Sequence, residues 1–163
     1  MLDEKQTKLF NRLWKYVAQT EDPNDCWEWT GCKSFGYGRV NLGRVKGASP
    51  IVRPSHRVLW ELIHGPIAPK MEIDHRCHNR GCNNPGHLRV ATHHENNRYQ
   101  HRRKNNTSGM KGVCWDKSRN KWLVKIRLNY KQIGLGRFDT IEEAYAAWCE
   151  AAKKYHGDYA CLD

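Results

Sequence analysis

The chain has 163 residues and carries 28 Lys and Arg against 17 Asp and Glu, a formal net charge of +11. A surplus of this size points to a polyanionic partner, nucleic acid first and a membrane surface second. No apolar run reaches spanning length and the leading residues MLDEKQTKLF are polar, so neither a membrane span nor a secretory signal is expected, and the protein reads as cytoplasmic. Seven cysteines in such a context read as thiolate metal ligands rather than as a disulfide framework.

In chain order, DEKQTKLFNRLWKYVAQ sets Leu9, Phe10, Leu13, Trp14 and Val17 on one face and predicts an opening helix. Past the breaker run EDPND, the stretch CWEWTGCKSFGYGRVNLG reads as short strands and turns. SHRVLWELIHG predicts a helix that ends at Gly65, since Pro66 and Pro69 forbid its continuation. A short strand, MEID, delivers His75. The loop from Arg76 to Leu88 is too rich in Asn, Gly and Pro to be regular, and Thr92 caps a helix in THHENNRYQHRRK. The polar run KNNTSG marks a boundary, giving domains 1–104 and 105–163. Three strands, GVCWD, KWLVKIRLN and KQIGLGRF, then precede the helix TIEEAYAAWCEAAKKYHG; there is no internal repeat.

Cys77, Cys82 and His87 are spaced so that one irregular loop can wrap them round a tetrahedral ion, and their mixture of thiolate and imidazole suits Zn²⁺. A closed site needs a fourth ligand. Cys26, at the mouth of a tryptophan-flanked strand, leads over Cys32 and His78. The competing reading is a pair of free thiols in a polar loop, which would leave that loop with nothing to hold it. Asp74 and His75, followed by an amide at Asn96, can set an oxygen-rich Mg²⁺ site beside a general base, the pairing that phosphodiester hydrolysis needs. Arg57, ahead of Arg53 and Arg76, is the expected cation near the scissile phosphate, although arginines in so basic a chain more often position phosphates. His93, His94 and His101 read first as solvent or phosphate contacts.

With these residues in view, DHRCHNRGCNNPGHLRVATHHENN resembles the HNH (His-Me finger) endonucleases, in particular their zinc-braced phage and homing branch. The resemblance extends over residues 20–100 through CWEWTG, GYGRV and HRVLWELIHGPI. It implies a ββα-metal finger with His75 as general base, Asn96 and Asp74 on catalytic Mg²⁺ for which Mn²⁺ can substitute, and Cys77, Cys82 and His87 on structural Zn²⁺ with an upstream cysteine. Two departures are informative. Asparagine stands at 96 where many such enzymes have histidine, which favours a hard cation. His87 stands where zinc-free members often have an asparagine bracing the base, so a loop carbonyl near Cys82 must orient His75 instead.

The C-terminal SGMKGVCWDKSRNKWLVKIRLNYKQIGLGRFDTIEEAYAAWCEAAKKYHG resembles an AP2 DNA-binding domain, a three-stranded sheet packed on one helix. In KWLVKIRLN, Trp122, Val124, Ile126 and Leu128 share one face, which packs on Ala144, Ala147, Trp148 and Ala151. The opposite face is cationic, and a two-stranded ribbon of this kind fits a DNA major groove. Its plainer reading is that Lys and Arg keep a sheet soluble. The expected DNA contacts are Lys117, Arg119, Lys121, Lys125 and Arg127, with Arg102 and Arg103 ahead of them. The reading is an α+β, Mg²⁺-dependent DNA endonuclease of double-stranded DNA that leaves 5′-phosphate and 3′-hydroxyl ends and has no membrane partner. Self-association would turn one nick into a double-strand break. Its rivals are a regulator that binds DNA without cutting it and an RNA-directed protein.

Overall fold

The computed structural model describes residues 2–102, 105–128 and 130–162. The class is α+β with several small antiparallel sheets. The chain forms two compact units, residues 1–92 and 93–163. The boundary expected at Lys104 falls outside the described residues, as does Arg103.

The first unit opens with α1 (Glu4–Trp14), started by a capping box in which the Asp3 carboxylate accepts from the Gln6 N–H and the Gln6 side chain accepts from the Asp3 N–H. The helix is shorter than its periodicity predicts. Val17 leaves it for β1 (Val17–Ala18), opposite Trp29 of β2 (Glu28–Trp29), because the Tyr16 carbonyl is taken by the Thr30 N–H at 2.8 Å. A β-branched residue placed across from a buried tryptophan suits a sheet better than a fraying helix end.

Strands β3 (Lys33–Ser34), β4 (Tyr37–Asn41) and β5 (Val52–Pro54) make a second sheet with β4 in the centre; β5 carried no clear signal in the sequence. Gly38 on β4 admits no side chain, since a Cβ there would lie 2.6 Å from Cγ of Trp29. Helix α2 (Ser55–His64) follows directly and stops at Gly65 with φ of 90°. Its face of Val58, Leu59 and Leu62 packs on Leu13, Val17, Trp29 and Val40, and this is the core of the unit. Strand β6 (Met71–His75) pairs antiparallel with β7 (Leu88–Thr92), setting Asp74 opposite Arg89 and His75 opposite Leu88. Leu88 therefore belongs to a strand, not to the loop, and the loop closes with a 3₁₀ turn over Pro85–His87.

The second unit begins with α3 (His93–Tyr99), which stops short of the predicted run through His101. Strands β8 (Val113–Asp116), β9 (Lys121–Leu128) and β10 (Lys131–Phe138) form one antiparallel sheet with β9 in the centre. Helix α4 (Ile141–His156) opens on a Thr140–Glu143 capping box and buries Ala144, Trp148, Ala151 and Ala152 against Val113, Val124 and Ile126. Ala147, expected in that face, is only half-buried, and Ala152 fills the position instead. No described helix is long and apolar enough to cross a membrane.

Candidate metal centre and active site

The loop between β6 and β7 holds its shape through polar bonds. Asn84 donates through Nδ2 to the carbonyls of Pro23 and Asp25, both at 2.8 Å, and accepts from the Gly86 N–H at 2.9 Å. The Asn83 N–H reaches the Trp27 carbonyl at 2.8 Å, and the Trp29 N–H reaches that of Gly81 at 2.9 Å. Asn79 donates to Glu28, whose carboxyl is held below its usual range first by Lys33 and then by Asn79. These bonds tie the loop to the segment before and along β2, and so carry Cys26 to it.

As a result Cys26, Cys77, Cys82 and His87 bring their donor atoms within 4.8 Å of one another. Nδ1 of His87 lies 3.7 Å from Sγ of Cys26 and 3.6 Å from Sγ of Cys82. A tetrahedral ion bound at about 2.3 Å from sulfur and about 2.0 Å from nitrogen spaces such donors about 3.6 Å apart, so the quartet fits a metal ion of the zinc type. The Cys82 thiol draws the Cys77 pKa down to about 5 by hydrogen bonding, the same contact pushes Cys82 up, and burial raises Cys26. Cys32 is exposed and lies outside the quartet, and His78 is not part of it; no disulfide joins the described cysteines.

Next to the quartet, β6 ends in two buried polar residues, Asp74 and His75, exposed by 6% and 7%. Nε2 of His75 lies 3.2 Å from the carbonyl oxygen of Cys82. A carbonyl only accepts, so Nε2 carries the proton in the neutral ring and Nδ1 keeps the lone pair. Burial lowers the pKa of His75, with nearby Cys77 opposing it. Oδ2 of Asp74 accepts from Nε of Arg89 at 2.8 Å, an ion pair between two largely buried side chains.

Two neighbours of this pair gave no signal as site residues. His56, on the first turn of α2 and 6% exposed, stands 4.6 Å from the His75 ring with the planes at 63°, and Tyr37 approaches both rings at 5.5 and 6.0 Å. Burial, then the charges of His75 and Arg57, lowers the pKa of His56 to about 3, so the ring is neutral at physiological pH. Arg89 could have been anticipated from the cross-strand register of MEIDH and LRVAT; His56 could not, because a histidine in a helical run reads as ordinary.

Arg57, expected near a scissile phosphate, is engaged within α2: Nε lies 3.6 Å from Oε1 of Glu61, an oxygen that Arg53 also reaches at 2.7 Å. Arg76 is exposed just after His75. In the second unit, Asn96 is half-buried on α3. Its neighbours His93 and His94 contact Asn97 at 2.8 Å and the Tyr130 ring at 4.1 Å. On the sheet, Lys121 pairs with Asp139 at 2.9 Å and Arg137 with Asp116 at 2.8 Å. Arg127 is exposed and Lys125 half-buried, whereas Lys117 and Arg119 occupy the exposed β8–β9 turn, and Arg102 donates to the Gly109 carbonyl at 2.8 Å.

Residues 53–98 match the HNH endonuclease family model, and residues 108–158 match the AP2 domain model, in that order. The first match spans β6, β7 and α3 and indicates a nuclease; the second spans the three-stranded sheet and α4 and indicates DNA binding. Protein 3.8 of Escherichia phage T7 is 33% identical over 106 residues, 64% of this chain and 86% of its own length. Protein 7.7 of the same phage is 37% identical over 73 residues, and an uncharacterized gene 5.3 protein of Enterobacteria phage T3 is 43% identical over 53. Those two stretches cover 44% and 32% of this chain, which spans about half, 52%, of each of these two relatives. No solved structure matches significantly. With an HNH endonuclease segment ahead of an AP2 segment, and with most of Protein 3.8 aligned to it, the chain belongs to the phage family that includes Protein 3.8.

Proposed function

We propose that this protein is a divalent-metal-dependent endonuclease of double-stranded DNA working in the cytoplasm of a phage-infected bacterium. The observation that carries the reading is His75: a buried, neutral imidazole whose Nε2 is fixed on the Cys82 carbonyl, next to a buried carboxylate and within the HNH match. Its Nδ1 takes the proton of the attacking water as the new P–O bond forms and the bond to the 3′ oxygen breaks, leaving 5′-phosphate and 3′-hydroxyl ends. Asp74 and Asn96, both oxygen donors, suit Mg²⁺ or Mn²⁺, which when bound stabilises charge on the phosphoryl and leaving oxygens. The order β6, β7, α3 is that of a ββα-metal finger, with Cys26, Cys77, Cys82 and His87 bracing it through Zn²⁺.

The AP2 segment presents the DNA and supplies base contacts, leaving the first 104 residues, with 18 Lys and Arg against 10 Asp and Glu, to hold phosphates. Supercoiled plasmid incubated with Mg²⁺ is the test: nicked product bearing 5′-phosphate ends is expected, and none should form when Mg²⁺ is chelated. One observation favours a second reading, a DNA-binding regulator without catalysis. Arg89 occupies one oxygen of Asp74. Tight duplex binding with no nicking under any divalent ion would establish that reading instead.

A further inference from the structure

The turn joining β3 to β4 has two residues, Phe35 and Gly36, because Ser34 pairs with Tyr37. Both have positive φ, 51° and 85°. That is the geometry of a type I′ hairpin, whose first position favours Asn or Gly because a bulky Cβ crowds the backbone in the left-handed region. Gly36 meets the requirement and Phe35 does not. Nor does the ring gain from burial, since Phe35 is 90% exposed. A lone apolar side chain at a surface is ordinary. One that also strains a tight turn, where asparagine would relax it, calls for a compensating interaction outside the folded chain.

The tip is braced toward the active site. Arg80, on the metal loop, donates through Nη1 to the Phe35 carbonyl at 3.4 Å and sets its guanidinium 5.4 Å from the centre of the Tyr37 ring. Tyr37 in turn stands 6.0 Å from His75. Phe35 is therefore two residues of chain, about 7 Å at full extension, beyond a ring that borders the imidazole, with the exposed Arg80 cation next to it.

We propose that Phe35 is a DNA wedge that inserts between adjacent base pairs beside the phosphodiester presented to His75. An apolar side chain entering a base step unstacks it and kinks the duplex, and burial of the ring repays the unstacking. Arg80 holds the neighbouring phosphate while the hairpin, pinned by that same residue, keeps the ring from folding away. The position of the wedge rests on the nuclease reading; its insertion into DNA does not.

Full-length wild type, Phe35→Asn and Phe35→Trp are compared in three measurements. Asparagine suits the left-handed position, so Phe35→Asn should raise the melting temperature, which separates loss of the ring from loss of the fold. Plasmid nicking by Phe35→Asn should fall at least about tenfold, as removal of a step-opening contact predicts, while Phe35→Trp stays near wild type. The third measurement uses a His75→Ala background, where cutting is slow, and duplexes selected for binding that carry 2-aminopurine at successive steps. These should brighten at one step when Phe35 is retained or replaced by tryptophan, and at none in the Phe35→Asn variant. Unchanged brightening and unchanged nicking in Phe35→Asn would overturn the wedge. So would a halving of sedimentation mass in that variant, which would show that the ring docks a second copy of this chain. If no protein nicks but brightening still depends on the ring, the nuclease reading fails and the wedge stands.

Discussion

The two units solve the problem of a small core in opposite ways. The described buried polar residues, Ser55, His56, Asp74, His75, Asn83, Asn84 and Arg89, all lie in the first unit. Those buried in the second, from Val113 to Cys161, are apolar or thiol-bearing, with Trp148 at their centre. An interior of polar groups costs stability unless each finds a partner, and several here do not: Ser55 Oγ, Nδ1 of His56 and Oδ1 of Asn83 have none among the described atoms. The difference teaches where function sits. On the proposed reading the first unit carries the general base inside, beside a loop that polar bonds and the Cys/His quartet hold, while the second packs an apolar core and keeps its cations toward solvent.

The largest effect expected is on catalysis. His75→Ala should lower cleavage by about 10² to 10⁴ fold with DNA affinity nearly unchanged, because a general base acts in the transition state. Single-turnover rates beside equilibrium binding measure the split, and equal turnover in the variant would remove His75 from the mechanism. The next effect divides the units themselves. Cys82→Ser should release about one zinc per chain, measured by elemental analysis, and melt the first unit while the second keeps its own transition, since ligation and folding are coupled in a closed site. Loss of zinc with both transitions intact would show that the loop stands without it.

Acidification should separate the units further. The pKa of His56 is lowered to about 3 in the folded chain, against about 6.5 when unfolded. Below 6.5 the unfolded chain binds a proton that the folded chain refuses. Stability fully present above that value is lost as pH falls toward 3, at up to about 1.4 kcal/mol per pH unit for one proton. His75, lowered by burial in the same direction, adds to the loss. In the second unit His156 is lowered as well, chiefly by desolvation, but it is only half-buried and its effect should be smaller. Denaturant titrations between pH 7 and 4 should show the first unit weakening first, and His56→Gln should flatten its slope.

The smallest effect lies on the sheet. Arg127→Ala should relax sequence preference by roughly 1 to 3 kcal/mol, the range for a direct base contact. Lys121→Ala should change it less, because Lys121 already pairs with Asp139. Cleavage-site sequencing of the two variants tests this, and identical profiles for Arg127→Ala and wild type would mean that the sheet does not read sequence.

Local pattern alone determined much of this protein. The spacing of Cys77, Cys82 and His87, the Asp74–His75 pair, the alternation of β9 and the helical periodicity of α2 and α4 are all short-range, and residues a few positions apart on one loop, strand or helix have their relation set by backbone geometry. The limits appeared where two local tendencies competed, as at Val17, whose helical spacing yielded to pairing with Trp29. What only the tertiary structure decided depends on contacts between distant segments. Cys26 enters the quartet because Asn83 and Asn84 fasten the loop to Trp27, Pro23 and Asp25. His56 meets His75 because α2 packs its first turn beside β6, and Arg89 meets Asp74 through a strand register. Phe35 remained hidden for the opposite reason: no sequence rule places a phenylalanine in the first position of a type I′ turn, and only the folded hairpin shows its ring turned out to solvent.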